Sequence, residues 1–271
     1  MPLTQSQTQQ IQGVVKNILL KRAKNFPDLN QENRNAPFHE LFLKAFKQQL
    51  GQLKVPIPYL VAIASWMHGL NTSLGSGFES LAHILSDGYK RKFTRAFRLN
   101  IKQEQAHKID TIIRDLKAGT HQPNLKREND LIFSYNNSGK TIQALEFTVD
   151  NYLEKKNCLE AIELKSVRPN SGEARGEKQK ILQAKAAFKL LHPQKDIKFF
   201  IGFPFDPTSQ DPTGYNKERF FKYLVEFKKF FDPKEVLIAS ELWDKLSGQV
   251  NTMDQLLKIV AQTVQKFVAA N

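Results

Sequence analysis

Residues 159–173 read "LEAIELKSVRPNSGE", a short apolar run that carries two charges and ends in an abrupt turn. Strand side chains alternate, so Glu163 and Lys165 share one face while Ile162 and Leu164 point the other way, into a core. A carboxylate and an ammonium side by side on a half-buried strand call for an explanation. The residues just upstream supply one. Residues 143–153, "QALEFTVDNYL", read as a second strand, and "EKKN" (154–157) reads as the turn between the two. Such a hairpin brings Asp150 near Glu163, so that two carboxylates and one ammonium meet at a sheet edge. Two carboxylate oxygens and a backbone carbonyl, here that of Leu164, suit a hard six-coordinate ion such as Mg²⁺. The ion lowers the pKa of a bound water and neutralises charge on a phosphoryl oxygen. Lys165 is placed to orient or deprotonate the attacking water. The chemistry that fits is metal-dependent hydrolysis of a phosphodiester.

The tripeptide Asp/Glu-x-Lys is not specific by itself. It recurs at Asp115–Lys117, Glu154–Lys156, Asp196–Lys198, Glu226–Lys228 and Asp232–Lys234. Two of these lie on expected helices, where residues two apart do not face each other; one lies in the hairpin turn, and two at element starts. Glu163–Lys165 differs in sitting inside an apolar strand, with an aspartate one hairpin upstream and a basic turn downstream.

Outward from the hairpin, apolar spacing predicts a long helix over 174–192 with Ile181, Leu182, Ala184, Phe188 and Leu191 toward the core. A buried strand over 197–205, a helix over 216–231, a strand over 235–240 and a closing helix over 252–269 follow. The order β-β-α-β-α-β-α implies an α/β fold, a mixed sheet flanked by helices. Upstream, helices are expected over 4–24, 37–50, 59–70 and from about 71 to Ser86, closed by Gly88, then over 102–118 with Asn100 as cap. "GTHQPN" (119–124) separates a helical N-terminal layer, 1–120, which would grip DNA and dimerise, from an α/β catalytic core, 125–271. Both belong to one nuclease domain over 1–271.

The formal net charge is +13, which points to a polyanionic partner. Residues 1–125 hold 17 Lys and Arg against 8 Asp and Glu, and residues 126–271 hold 23 against 19. The excess of cations thus precedes the site. "YKRKFTRAFRLNIK" (89–102) carries Lys90, Arg91, Lys92, Arg95 and Arg98 as phosphate contacts, with Phe93 and Phe97 as packing anchors; a solvated cationic face would read the same way. Arg168, Asn170, Arg175 and Lys178 follow the site directly and suit base edges or phosphates. No apolar run approaches the roughly 20 residues of a membrane span, the N-terminus is not a secretory signal, and a lone Cys158 excludes a disulfide framework and a cysteine zinc site. Cytoplasmic residence is expected. The six histidines show no metal spacing, and no glycine-rich loop supports a nucleotide cofactor.

Asp150, "ELK" after a hairpin, and a long helix together resemble the PD-(D/E)xK nuclease core. More closely, "NAPFHELFL" (35–43), "LNTSLGSGFESLA" (70–82), "TVDNYL" (148–153) and "IELKSVRPNSGE" (162–173) resemble the TdeIII type of type II restriction endonuclease. The eponymous proline is absent, since Val149 precedes Asp150. The resemblance implies Mg²⁺-dependent cutting of a short duplex DNA site, usually by a homodimer at a palindrome such as GGNCC. It gives Asp150 and Glu163 the metal and Lys165 the water, and it sets Glu79 beside the metal site, with Gly75 and Gly77 allowing close approach of backbone or DNA. Two alternatives remain open at this point. One is a repair or junction-resolving nuclease of the same fold, and the other is a non-catalytic DNA-binding protein.

Overall fold

The computed structural model describes residues 2–28, 36–52, 55–94, 97–165 and 171–270. Its centre is a five-stranded sheet in the order β1 (Tyr89–Phe93), β4 (Phe147–Glu154), β5 (Cys158–Leu164), β6 (Asp196–Phe203), β7 (Val236–Ile238). β1 pairs β4 and β4 pairs β5 antiparallel, whereas β5–β6 and β6–β7 are parallel, so the sheet is mixed. A separate two-stranded ribbon joins β2 (Asn100–Lys102) to β3 (Thr141–Gln143). The α/β architecture expected from the sequence is therefore present.

The expected hairpin is β4 and β5, with Asn151 opposite Ile162 and Tyr152 opposite Ala161. One step further along that register stands Asp150 against Glu163. Between β5 and β6 runs α7 (Ser171–Leu191), the crossover that a parallel pair requires. Its buried face includes Ile181, Leu182, Ala184 and Phe188, as the spacing predicts, but Leu191 in its last turn is exposed. Phe188 reaches a cluster with Phe93, Phe147 and Tyr152 whose ring centroids lie 4.8–6.0 Å apart. Aromatic pairs at such distances add about 0.5–1.5 kcal/mol each beyond area burial. This cluster ties β1 and β4 to α7.

In the N-terminal layer, α1 (Gln5–Ala23) starts with a capping box in which Thr4 accepts from Gln7 N–H. The single helix expected over 37–50 is two, α2 (Pro37–Lys44) and α3 (Lys47–Gly51). The two expected around residues 59–86 are one, α4 (Ile57–Ser86), because the Thr72, Ser73 and Ser76 hydroxyls bond to carbonyls four residues back instead of capping a new helix. Asp87, in the left-handed conformation at φ 57°, closes α4 rather than Gly88. Gly77 is where α1 approaches: a Cβ there would meet Ile18 at 2.8 Å, whereas Gly75 faces open space.

α5 (Gln103–Ala118) begins after Lys102, and Asn100 belongs to β2 rather than acting as the cap. Then come α6 (Leu125–Phe133), capped by Asn124, and α8 (Lys217–Tyr223), which is followed by a 3-10 turn at Phe227–Lys229. A second 3-10 turn, Pro233–Glu235, leads into β7. α9 (Ser240–Ser247) has no counterpart in the sequence reading, and α10 (Thr252–Ala269) closes the chain. The two layers interlock. β1 from the first half is the edge strand beside β4, and Leu3 N–H near the start donates to Gln255 Oε1 on α10 at 2.7 Å. No helix of the described residues is long and apolar enough to cross a membrane.

Candidate active site

Asp150 and Glu163 lie side by side at the β4–β5 hairpin, both buried. The Leu164 N–H donates to Asp150 Oδ2 at 3.0 Å, which fixes that carboxylate against the strand carrying Glu163. His83, on α4, bonds to the Asp150 carbonyl through Nε2 at 2.7 Å. This contact ties α4 to the backbone of the strand carrying Asp150.

Lys165 Nζ sits 3.4 Å from Glu163 Oε1 and 2.9 Å from Glu177 Oε1. Lys180 Nζ closes the ring, 2.9 Å from Glu163 Oε1 and 2.6 Å from Glu177 Oε2. Glu177 and Lys180 stand three residues apart on α7, the spacing that puts two side chains on one helix face. Sequence reasoning missed both. Their one signal was this i,i+3 charge pair on the helix directly after the strand.

Burial drives the electrostatics. Desolvation raises the Glu163 carboxyl above its usual range, and the neighbouring Asp150 charge adds to this while the two lysines oppose it. For Lys165 burial alone would favour the neutral amine, but the Glu163 and Glu177 charges outweigh it and the pKa is raised. Burial likewise opposes ionisation of Glu177, and Lys180 and Lys165 overcome it, so its pKa is lowered. Glu163 Oε2 is buried with no hydrogen-bond partner among the described residues. A buried carboxylate oxygen without a donor is unstable unless a cation or water completes it. Three or more His, Cys, Asp or Glu side chains do not converge as a metal site among the described residues. A cation here would be held by the two carboxylates with backbone and water oxygens, the coordination Mg²⁺ favours.

Glu79 reaches this site through Lys90. Lys90 Nζ lies 2.7 Å from Glu79 Oε2 and 3.3 Å from Asp150 Oδ1. Arg91 turns away, its guanidinium stacked over Tyr152 and Phe93. Lys92 and Arg175 are exposed. Arg98 is spent within the fold, donating to the Ala144 carbonyl and Gln143. Phe93 is a buried anchor as expected, whereas Phe97 is 77% exposed. Lys178 reaches no surface that DNA could touch. It is fully buried, bonded to Glu128 at 2.5 Å and Glu235 at 2.6 Å, because its place on α7 faces the core rather than the sheet edge. Arg95, Arg168 and Asn170 lie outside the described residues.

Adjacent buried carboxylates on neighbouring strands, a lysine two residues after the second, and a crossover helix behind them define the class: a nuclease core of the PD-(D/E)xK type. The HinfI type II restriction endonuclease family model matches residues 3–264. The type II restriction enzyme MjaII of Methanocaldococcus jannaschii is 44% identical over 265 residues, covering 96% of this chain and 71% of that enzyme. The chain belongs to the HinfI family of type II restriction endonucleases and is a site-specific deoxyribonuclease. That sets aside the repair-nuclease and non-catalytic alternatives. The match is to HinfI, so the GGNCC expectation, which rested on a TdeIII-type resemblance, has no support from it.

Proposed function

We propose that this chain cuts both strands of a short palindromic duplex DNA site in a Mg²⁺-dependent reaction centred on Asp150, Glu163 and Lys165. The observation that carries this reading is the buried Glu163 Oε2, which has no hydrogen-bond partner among the described residues and lies beside Asp150. Asp150, Glu163 and the Leu164 carbonyl would hold the ion. When bound, Mg²⁺ supplies an acidified water and neutralises phosphoryl charge.

The chain's own residues do the rest. Lys165, kept cationic by Glu163 and Glu177, orients the attacking water and faces the charge that gathers on the phosphate. The water oxygen bonds to phosphorus as the bond to the leaving sugar oxygen breaks. Glu177 holds Lys165 and Lys180 in place. Lys92 and Arg175, both exposed, remain candidates for phosphate contact, as do Arg95, Arg168 and Asn170.

One site cuts one strand, so a palindromic double cut calls for two copies related by a two-fold axis. One group of apolar side chains that such a partner could cover is Phe38, Leu41, Phe42 and Phe46, exposed on and just after α2, a helix that buries none of its own residues.

The test is linear phage DNA incubated with the purified protein in Mg²⁺ or EDTA, beside Lys165→Ala. Discrete fragments only with Mg²⁺, and absent with the variant, support the reading. Discrete fragments in EDTA, or from Lys165→Ala at the wild-type rate, overturn it.

A further inference from the structure

Lys90 stands where its charge matters most. The register between β1 and β4 slips at this point: Tyr89 faces Tyr152 and Arg91 faces Val149, so Lys90 alone opposes both Asp150 and Asn151. A bulge of this kind bends the strand and re-aims side chains, and bulges gather beside active sites. Here Asp150 and Lys90 meet, and the ammonium bridges Asp150 to Glu79 on α4. The three side chains differ in exposure, 39% for Lys90, 29% for Glu79 and 13% for Asp150. The lysine is thus the most solvent-exposed of the three.

We propose that Lys90 is an exchangeable counter-ion of the catalytic centre. Without DNA it bridges Asp150 and Glu79 and competes with a divalent cation for Asp150; when DNA binds, a backbone phosphate takes the ammonium and frees Asp150 for the metal. The inference rests on Asp150 being a metal ligand and adds the order of events. A divalent ion at Asp150 would lie within a few ångströms of the ammonium, where like charges repel strongly even at intermediate dielectric. A phosphate offers Lys90 a replacement anion of matching charge. Metal and DNA then bind cooperatively, since each favours the same position of the lysine. Arg91, held over Tyr152 and Phe93, makes no such bridge.

Mn²⁺ binding without DNA, followed by the loss of the free-ion electron paramagnetic resonance signal, tests the first half. Lys90→Met removes the competitor with similar bulk, and Lys90→Arg keeps a cation. The expected result is that Lys90→Met binds Mn²⁺ about tenfold tighter than wild type, the scale of one partly screened charge, with Lys90→Arg close to wild type. Binding by Lys90→Met that is no tighter than wild type, undetectable binding in both included, overturns the inference. Asp150→Asn separates the two readings: if it still binds Mn²⁺ as wild type does, the metal assignment fails instead.

The second half is read from duplex DNA binding in EDTA across a salt series. Transfer of Lys90 to phosphate predicts that Lys90→Met lowers the salt slope by about one unit. An unchanged slope means that the lysine stays with the carboxylates and overturns the exchange. Circular dichroism confirms that each variant is folded before either measurement.

Discussion

The Leu164 N–H donates to Asp150 Oδ2, so the strand that presents Glu163 and Lys165 also holds the other carboxylate of the site. Asn at position 150 retains a side-chain oxygen to accept that bond while losing the charge. Asp150→Asn is therefore expected to fold with wild-type stability and to lose cleavage by at least about 10²-fold, the low end for removal of a positioned catalytic group. Urea unfolding and a cleavage time course on the same preparation check both halves. A large stability loss would show that Asp150 serves the fold first.

Glu177 touches both lysines of the site, at 2.9 and 2.6 Å. It acts through them, as a positioning residue. Glu177→Gln should lower kcat about 10–100-fold, as loss of outer partners does in metal sites, with KM for DNA nearly unchanged. Glu177→Asp should recover part of the loss. A variant whose KM rises while kcat holds would place Glu177 in DNA binding instead.

Lys178 is the buried hub of another cluster, bridging Glu128 on α6 and Glu235 in the turn before β7. Lys178→Met leaves Glu128 and Glu235 facing each other with only the more distant Lys185, 3.7 Å from Glu235, as a counter-charge. Breaking a buried ion pair in this way costs about 3–5 kcal/mol, which urea unfolding would read directly. DNA affinity of the folded fraction should not change. A stable variant with weakened DNA binding would instead restore Lys178 to the interface.

Much of this was legible because period-2 alternation and the turn "EKKN" fix the hairpin locally, and the hairpin fixes Asp150 opposite Glu163. The same local logic gave α7, β6 and α10. What failed depended on contacts distant in sequence. Lys178 and Arg175 look alike in a basic stretch, and only the placement of Glu128 and Glu235, 50 and 57 residues away, buries one of them. β1 reads as a cationic run, because an edge strand alternating Lys90, Arg91 and Lys92 shows its role only when paired with β4. The α4 break was expected at Ser and Thr residues that cap helices elsewhere; their hydroxyls are satisfied within the helix here. α9 is short and lies against strands that a sequence window does not see.

Lys185 lies in the same buried cluster as Lys178 but fares worse. Its Nζ is 3.7 Å from Glu235 and has no hydrogen-bond partner among the described residues. Burial, only partly offset by Glu235, pulls its pKa down to about 8 from an ordinary 10.5. Below pH 8 both the folded and unfolded chains carry the proton, and the folded chain bears the full cost of a buried charge. Between pH 8 and 10.5 the folded chain has released the proton while the unfolded chain still binds it. Stability through this group therefore rises with pH across that window. Lys185→Met keeps the volume and removes the charge. It should be neutral or stabilising at pH 7, by about 1–3 kcal/mol on the scale of buried-charge replacements, and the gain should shrink from pH 8 to 10. Paired unfolding curves of wild type and variant at pH 7, 8.5 and 10 measure it. A variant less stable than wild type at pH 7 would mean that Glu235 depends on both lysines, and that the cluster is a closed four-membered network rather than a Lys178-centred triad with Lys185 loosely attached.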